Sequence, residues 1–79
     1  MSFVYIIKSK KDSSFYTGIT DDVHRRLVDN NSGKLKYTRD KRPWILWHVR
    51  ESDSMSIARN EEIYLKKKNR EFKESIKNV

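Results

Sequence analysis

Phe3-Val-Tyr-Ile-Ile7, then Phe15-Tyr-Thr-Gly-Ile-Thr20, then Asp21-Asp-Val-His-Arg-Arg-Leu27 is the stretch whose reading decides the fold. Phe3, Tyr5 and Ile7 alternate with Val4 and Ile6, so the first segment is apolar on both faces, as a central strand is. Residues 15–20 read as the return strand, antiparallel because the connection over 8–14 is short and Asp12-Ser13-Ser14 suits a turn. Gly18 is unfavourable in a strand and marks a bulge or a close backbone approach. A helix is predicted over 22–30, with Thr20 or Asp21 as its cap and acids in its first turn. Val23 and Leu27 define its buried side, and Arg26 and Asn30 lie on or beside that edge. Asn31-Ser-Gly33 ends it. The layout brings Tyr5, Tyr16 and Arg26 within reach of one another.

Further along, residues 34–42 form a basic loop closed by Pro43. A solvated connector is the ordinary reading of such a run, but Leu35 and Tyr37 argue that it is partly docked. Residues 44–50 read as a third strand rich in bulky β-formers. Asp53 or Ser54 caps a second long helix running to about residue 68. A final basic helical stretch covers 70–77, with Phe72 and Ile76 one turn apart. The order β-β-α-β-α-α indicates an α+β fold, a small three-stranded antiparallel sheet flanked by helices. With 79 residues, a single domain over 1–79 is expected.

Composition narrows the function classes. There is no cysteine, which excludes disulfides and thiolate zinc sites, and the two histidines are too few for an all-histidine metal site. No apolar run is long enough to span a membrane, so a soluble cytoplasmic protein is expected, with no membrane partner. Eighteen Lys and Arg against eleven acids give a net charge of +7, the footprint of a polyanion binder.

Several side chains are candidates for chemistry. Tyr5 and Tyr16 fall on neighbouring strands, where either packing or catalysis accounts for them. Arg26, at the edge of a buried face, needs an acid or a ligand phosphate. On the second helix, Met55, Ala58 and Leu65 trace an apolar stripe that includes Glu62, while Glu61 falls beside a second stripe of Ile57 and Tyr64. A carboxylate on such a stripe is costly unless it is paired or holds a metal. Periodicity does not choose between the two glutamates, and a Glu–Arg salt bridge between helices remains open. His24 and His48 each stand alone and suit surface or packing roles.

These residues resemble the GIY-YIG nuclease domain, and in particular its small stand-alone members of bacterial type. The first motif stands here as Val4-Tyr5-Ile6, with valine for glycine, and the second as Tyr16-Thr17-Gly18 followed by Ile19-Thr20. The family's arginine falls on Arg26. Asn31-Ser-Gly-Lys34, Lys36-Tyr37-Thr38-Arg39 and Arg42-Pro43 match its linker to the third strand. The late helical pattern falls on Ala58, Glu62 and Lys66, which selects Glu62 over Glu61. The similarity covers nearly the whole chain.

The resemblance implies hydrolysis of DNA phosphodiesters with one divalent metal, Mg²⁺ or Mn²⁺, and low sequence specificity. Glu62 would hold the metal. Arg26 would neutralise charge on the phosphorus. Tyr5 or Tyr16 would position or deprotonate the attacking water, which requires a nearby cation to lower the phenol's pKa. Gly18, Asn30, Lys34, Lys36, Tyr37, Arg39, Arg42 and Lys66 are the expected nucleic-acid contacts. Asn30 departs from the family's histidine or tyrosine, and asparagine takes no proton. The second reading is therefore a weakened or inactive domain kept for nucleic-acid binding, and the third a basic protein-interaction domain. The DNA partner, whether duplex, branched or single-stranded, is not specified further, and neither is the oligomeric state.

Overall fold

The doubly apolar segment becomes β1 (Ser2–Ser9), the middle strand of a sheet ordered β2-β1-β3 in the computed structural model, which describes residues 1–79. β2 (Phe15–Thr20) and β3 (Trp44–Ser52) flank it, each antiparallel to it. Val4, Tyr5, Ile6 and Ile7 are consecutive and all buried, which requires cover on both faces of the strand. On one face Val4 and Ile6 meet Ala58 and Leu65 of α2 (Met55–Lys66), with Phe72 and Ile76 closing in from α3 (Arg70–Ser75) and its C-cap. On the other, Tyr5, Ile7 and Trp44 meet Val23 and Leu27 of α1 (Val23–Ser32). The architecture is the three-stranded antiparallel α+β fold expected.

A bulge adjusts β3 to serve both faces. Ile6 lies opposite His48 but Ile7 opposite Leu46, which leaves Trp47 as an extra residue. Trp44 and Leu46 therefore face α1, Trp47 faces α2 and α3, and Val49 returns to the α1 side. The Trp47 indole N–H donates to the Lys73 carbonyl at 2.8 Å and so fastens α3. β2 keeps regular register with β1 throughout, so of the two readings of Gly18 the bulge is excluded.

Element ends differ from expectation for local reasons. The cap of α1 is Asp22, not Thr20 or Asp21: its carboxylate accepts from the Arg25 N–H at 3.0 Å. Thr20 still belongs to β2, where its hydroxyl accepts from the Asp22 N–H, and Asp21 pairs with the Arg25 guanidinium. No acid remains in the first turn, and α1 runs to Ser32 before Gly33 closes it at φ 87°. Helix α2 stops at Lys66, since Asn69 caps α3 by accepting from the Phe72 N–H at 2.9 Å. After α3 ends at Ser75, the Asn78 side chain bonds both the N–H and C=O of Val49, satisfying part of the outer edge of β3. Met55, Ile57 and Tyr64 are exposed, so the core side of α2 is narrower than the two stripes implied.

The basic loop is partly docked, with most of its side chains exposed. Thr38 within it is fully buried, and its carbonyl accepts from the Trp44 indole at 2.9 Å. Asn31 spans the backbone of Trp44, donating to its carbonyl at 2.9 Å and accepting from its N–H at 2.6 Å. Ser9 Oγ reaches across to the Lys41 carbonyl at 2.6 Å, beside the 3₁₀ turn Arg39–Lys41. No helix is long and apolar enough to cross a membrane.

Candidate active site

Tyr5 lies directly opposite Gly18 in the neighbouring strand. A Cβ at position 18 would come 2.6 Å from Tyr5 Oη and 2.8 Å from Cζ, so the hydroxyl end of the ring rests on the glycine backbone. Gly18 is there for close approach. Tyr16 sits opposite Ile7, making it the diagonal neighbour of Tyr5, with ring centroids 6.4 Å apart. Tyr37, reaching in from the basic loop, stacks on Tyr16 at 5.3 Å while staying 61% exposed.

Helix α1 supplies the cation. Arg26 is half-buried and belongs to none of the chain's six ion pairs, and its Nε is buried without a partner. The Glu–Arg bridge between helices is absent, because Glu62 pairs instead with Lys66 one turn along α2, at 3.2 Å. Asn30 is completely buried; its amide N–H donates to the Arg26 carbonyl at 2.8 Å, while its Oδ1 has no partner. Expected among the nucleic-acid contacts, Asn30 is thus enclosed behind Arg26, its amide committed to the helix backbone. Gly18 is likewise buried, beneath Tyr5.

The charges of these groups act on one another. Burial pushes the Tyr5 phenol above its ordinary range; the Arg26 guanidinium and the Asn30 amide pull it down, and Tyr37 and Glu62 push it up. Burial also raises Tyr16 well above the usual phenol range, reinforced by the Tyr37 hydroxyl and Tyr5 and opposed by Arg26. Arg26 is the phenol-lowering cation looked for in the sequence, but desolvation outweighs it. Tyr5, Tyr16, Arg26, Glu62, Asn30 and Tyr37 therefore share one electrostatic neighbourhood, with Lys66 beside Glu62. Lys34, Lys36, Arg39 and Arg42 are exposed along the loop that carries Tyr37.

The cluster reaches solvent through Tyr37, while Tyr5 and Asn30 are buried and Tyr16, Arg26 and Glu62 half-buried. None of the three cavities of the fold is lined by Tyr5, Tyr16, Arg26 or Glu62; the apolar groove of about 540 Å³ is formed by Phe3, Val23, Leu27, Leu46 and Val49 elsewhere along α1. No group of three or more His, Cys, Asp and Glu comes together, so the chain builds no all-protein metal cage. A lone, largely buried carboxylate does fit Mg²⁺ or Mn²⁺, which keep several waters and bind through one or two carboxylates and substrate phosphates. His24 is exposed, and His48 donates from Nδ1 to the Ile76 carbonyl at 2.8 Å, a packing role. Asn31 and Thr38, seen in the sequence only as parts of the linker, hold the Tyr37 loop in place together with Trp44.

A family model described as the GIY-YIG catalytic domain matches residues 1–75, a span that takes in every member of the cluster. A UPF0213 protein of Halobacterium salinarum is 40% identical over 77 residues, covering 96% of this chain and 99% of its own length. The UPF0213 protein YazA of Bacillus subtilis is 40% identical over 73 residues, covering 91% and 73%. The solution NMR structure of the UPF0213 protein BH0048 from Bacillus halodurans matches with a TM-score of 0.58 at 40% identity, over 95% of this chain and 81% of that one. Membership of such a family implies a function of nuclease type. Sharing both the family's domain over nearly its whole length and this fold, the chain belongs to the GIY-YIG family, in its UPF0213 group.

Proposed function

We propose that the chain is a metal-dependent endonuclease that hydrolyses DNA phosphodiester bonds with little sequence preference. The observation that carries this reading is Arg26: a partly buried guanidinium with an unpartnered Nε, close enough to Tyr5 and Tyr16 to pull both phenols down and left free by a glutamate that pairs elsewhere. Leaving a buried donor unsatisfied costs about 1–3 kcal/mol, and a phosphate oxygen supplies the missing acceptor. Arg26 then binds a non-bridging oxygen and offsets the charge that builds on it during attack. Glu62 would hold the Mg²⁺ or Mn²⁺, which when bound supplies Lewis-acid stabilisation of the phosphate. Lys66 shares that carboxylate and must yield to the ion or accompany it.

The tyrosines orient the water. Both phenols are raised, so at neutral pH each keeps its proton and acts by hydrogen bonding, and base strength grows only as pH rises. Asn30 behind them takes no proton, so any proton acceptor is one of the phenols or solvent. The loop cations Lys34, Lys36, Arg39 and Arg42, with Lys66, engage the backbone phosphates. The buried asparagine favours a second reading, a nucleic-acid-binding module that cuts weakly or not at all.

One experiment separates the two. Supercoiled plasmid and single-stranded DNA are incubated with Mg²⁺, Mn²⁺ or chelator, alongside Glu62→Gln, Arg26→Met and Tyr16→Phe. Metal-dependent cutting lost in all three variants supports the nuclease. Binding without cutting, with cutting gained by Asn30→His, supports the module, and variants that cut like the parent defeat the site assignment.

A further inference from the structure

The loop after β1 and the turn Arg39–Lys41 are tied together on the side of the fold where Trp44 begins β3. Ser9 Oγ donates to the Lys41 carbonyl at 2.6 Å, the Lys10 N–H to the Pro43 carbonyl at 2.8 Å, and Lys11 Nζ to the Asp40 carbonyl at 3.0 Å. Between them lies a polar cleft of about 520 Å³ lined by Lys11, Asn31, Arg39, Asp40, Arg42 and Pro43. None of its three cations takes part in any of the chain's six ion pairs, although neighbouring Lys41 is neutralised by Asp12 at 3.5 Å. Arg42 is fixed rather than free. Its Nε donates to the Arg39 carbonyl at 2.7 Å, and its Nη1 rests over Gly33, where a Cβ would come within 2.7 Å. Asn31, in the wall, is locked to the Trp44 backbone.

Uncompensated cations held on a pinned scaffold suit one kind of ligand. Phosphate oxygens accept charge-assisted hydrogen bonds from guanidinium and ammonium groups, and a preformed site loses little freedom on binding. We propose that this cleft is a phosphate-binding subsite, separate from the Tyr5–Arg26 cluster, that grips a non-scissile phosphodiester of the nucleic-acid strand. The identity of the strand rests on the nuclease reading; the phosphate chemistry does not. Tyr37, stacked on Tyr16, and Arg39, lining the cleft, are two residues apart on one loop, so their backbones lie within about 7 Å. One strand can therefore meet both. Asp40 is the only acid in the lining and opposes an anion there.

The test is binding of a fluorescent oligonucleotide in chelator, where no cutting occurs, across a salt series. Lys11→Gln and Arg39→Gln are each expected to weaken binding about tenfold. Each should also lower the slope of log K against log salt by about 1. Asp40→Asn is expected to tighten binding, and Arg25→Gln, whose partner is Asp21 at the other end of α1, to leave it unchanged. Melting curves exclude misfolding, and Lys11, exposed and bonded only to a carbonyl, keeps the test valid should Arg39→Gln unfold. In the second arm inorganic phosphate is titrated in an amide NMR experiment, with shifts expected at residues 11, 31 and 39–42. Parent-like slopes in both Gln variants overturn the proposal. So do phosphate shifts without any loss of oligonucleotide affinity, which would make the cleft a free-anion site. Loss of binding as expected in a protein that cuts nothing retains the cleft and defeats the nuclease; cutting with parent-like slopes does the reverse.

Discussion

Gly18→Ala tests the packing on which the site depends, because the sign of its effect is opposite to that of an ordinary strand glycine. The backbone at Gly18 does not require a positive φ, so alanine fits its conformation. Without a contact above it, the change would stabilise the chain by about 0.4–1 kcal/mol through the unfolded state. Here the new Cβ would lie 2.6 Å from Tyr5 Oη, 2.8 Å from Cζ and 3.0 Å from Cε1. Ordinary contact begins near 3.4 Å, so the end of the ring must retreat by about 0.8 Å. The ring is 2% exposed and packs with Ile7 and Trp44, which leaves it little room. Overpacking of this kind costs about 1–3 kcal/mol. For a chain of this size that is a fall in melting temperature of about 5–20 °C. Displacing a reacting group by close to 1 Å costs on the order of 10²-fold in rate, so cutting should fall more steeply than stability. Thermal unfolding followed by circular dichroism gives the first number and plasmid nicking the second. A Tyr5→Leu background removes the ring, and there Gly18→Ala should be neutral or stabilising. If Gly18→Ala alone melts with or above the parent, the ring does not press on Gly18 and the placement of Tyr5 is wrong.

Four other outcomes are expected. Arg26→Met removes an unpartnered donor, so stability should hold within about 0.5 kcal/mol while nicking drops on the order of 10²-fold; a large loss of stability would mean that Arg26 is a structural ion-pair partner after all. In an ultraviolet titration Tyr5 and Tyr16 should ionise late, above the ordinary value of 10.0, and each Phe substitution should remove part of the late phase. The linked effect on stability has a definite sign: above pH 10.0 the native phenols keep protons that the unfolded chain has released, so stability falls as pH rises, less so in Tyr16→Phe. Asn31→Ala leaves the N–H and carbonyl of Trp44 unpaired, at a cost of about 1–3 kcal/mol, and should lower oligonucleotide affinity by loosening the loop; calorimetry and anisotropy report the two. Glu62→Gln should abolish Mn²⁺ binding measured by titration calorimetry, and unchanged binding would move the metal elsewhere.

Much of the frame was legible because it is written in apolar pattern. The unbroken run from Val4 to Ile7 could only be a strand covered on both sides, and it is the middle of the sheet. Val23 and Leu27 marked the inner side of α1, and both pack beneath Tyr5. What pattern could not give is parity across β3: one extra residue at Trp47 puts Leu46 and Val49, three apart, on the same face, and nothing in the alternation announces it. That the loop docks in part was legible from Leu35 and Tyr37, but what anchors it was not. Its anchors are Asn31, Thr38 and Ser9, short polar residues that read as solvent-facing until the backbone groups they satisfy are known.

Arg26 and Asn30 mark the same boundary inside the site. Spacing put both at the buried edge of α1, which is correct, but it could not tell an unmet donor from an unmet acceptor. Asn30 is fully buried with its amide N–H on the Arg26 carbonyl and an unmet acceptor, Oδ1, whereas half-buried Arg26 keeps an unmet donor, Nε, close enough to the phenols to lower them. That difference decides their roles. A fully buried acceptor can set the position of its neighbours, but it has no hydrogen to give a phosphate oxygen. A half-buried donor left unmet is poised for an anion from outside. The departure at Asn30 from the family pattern therefore bears on how Arg26 and Tyr5 are held. Contact with the phosphate falls to Arg26, whose unmet donor can take a phosphate oxygen.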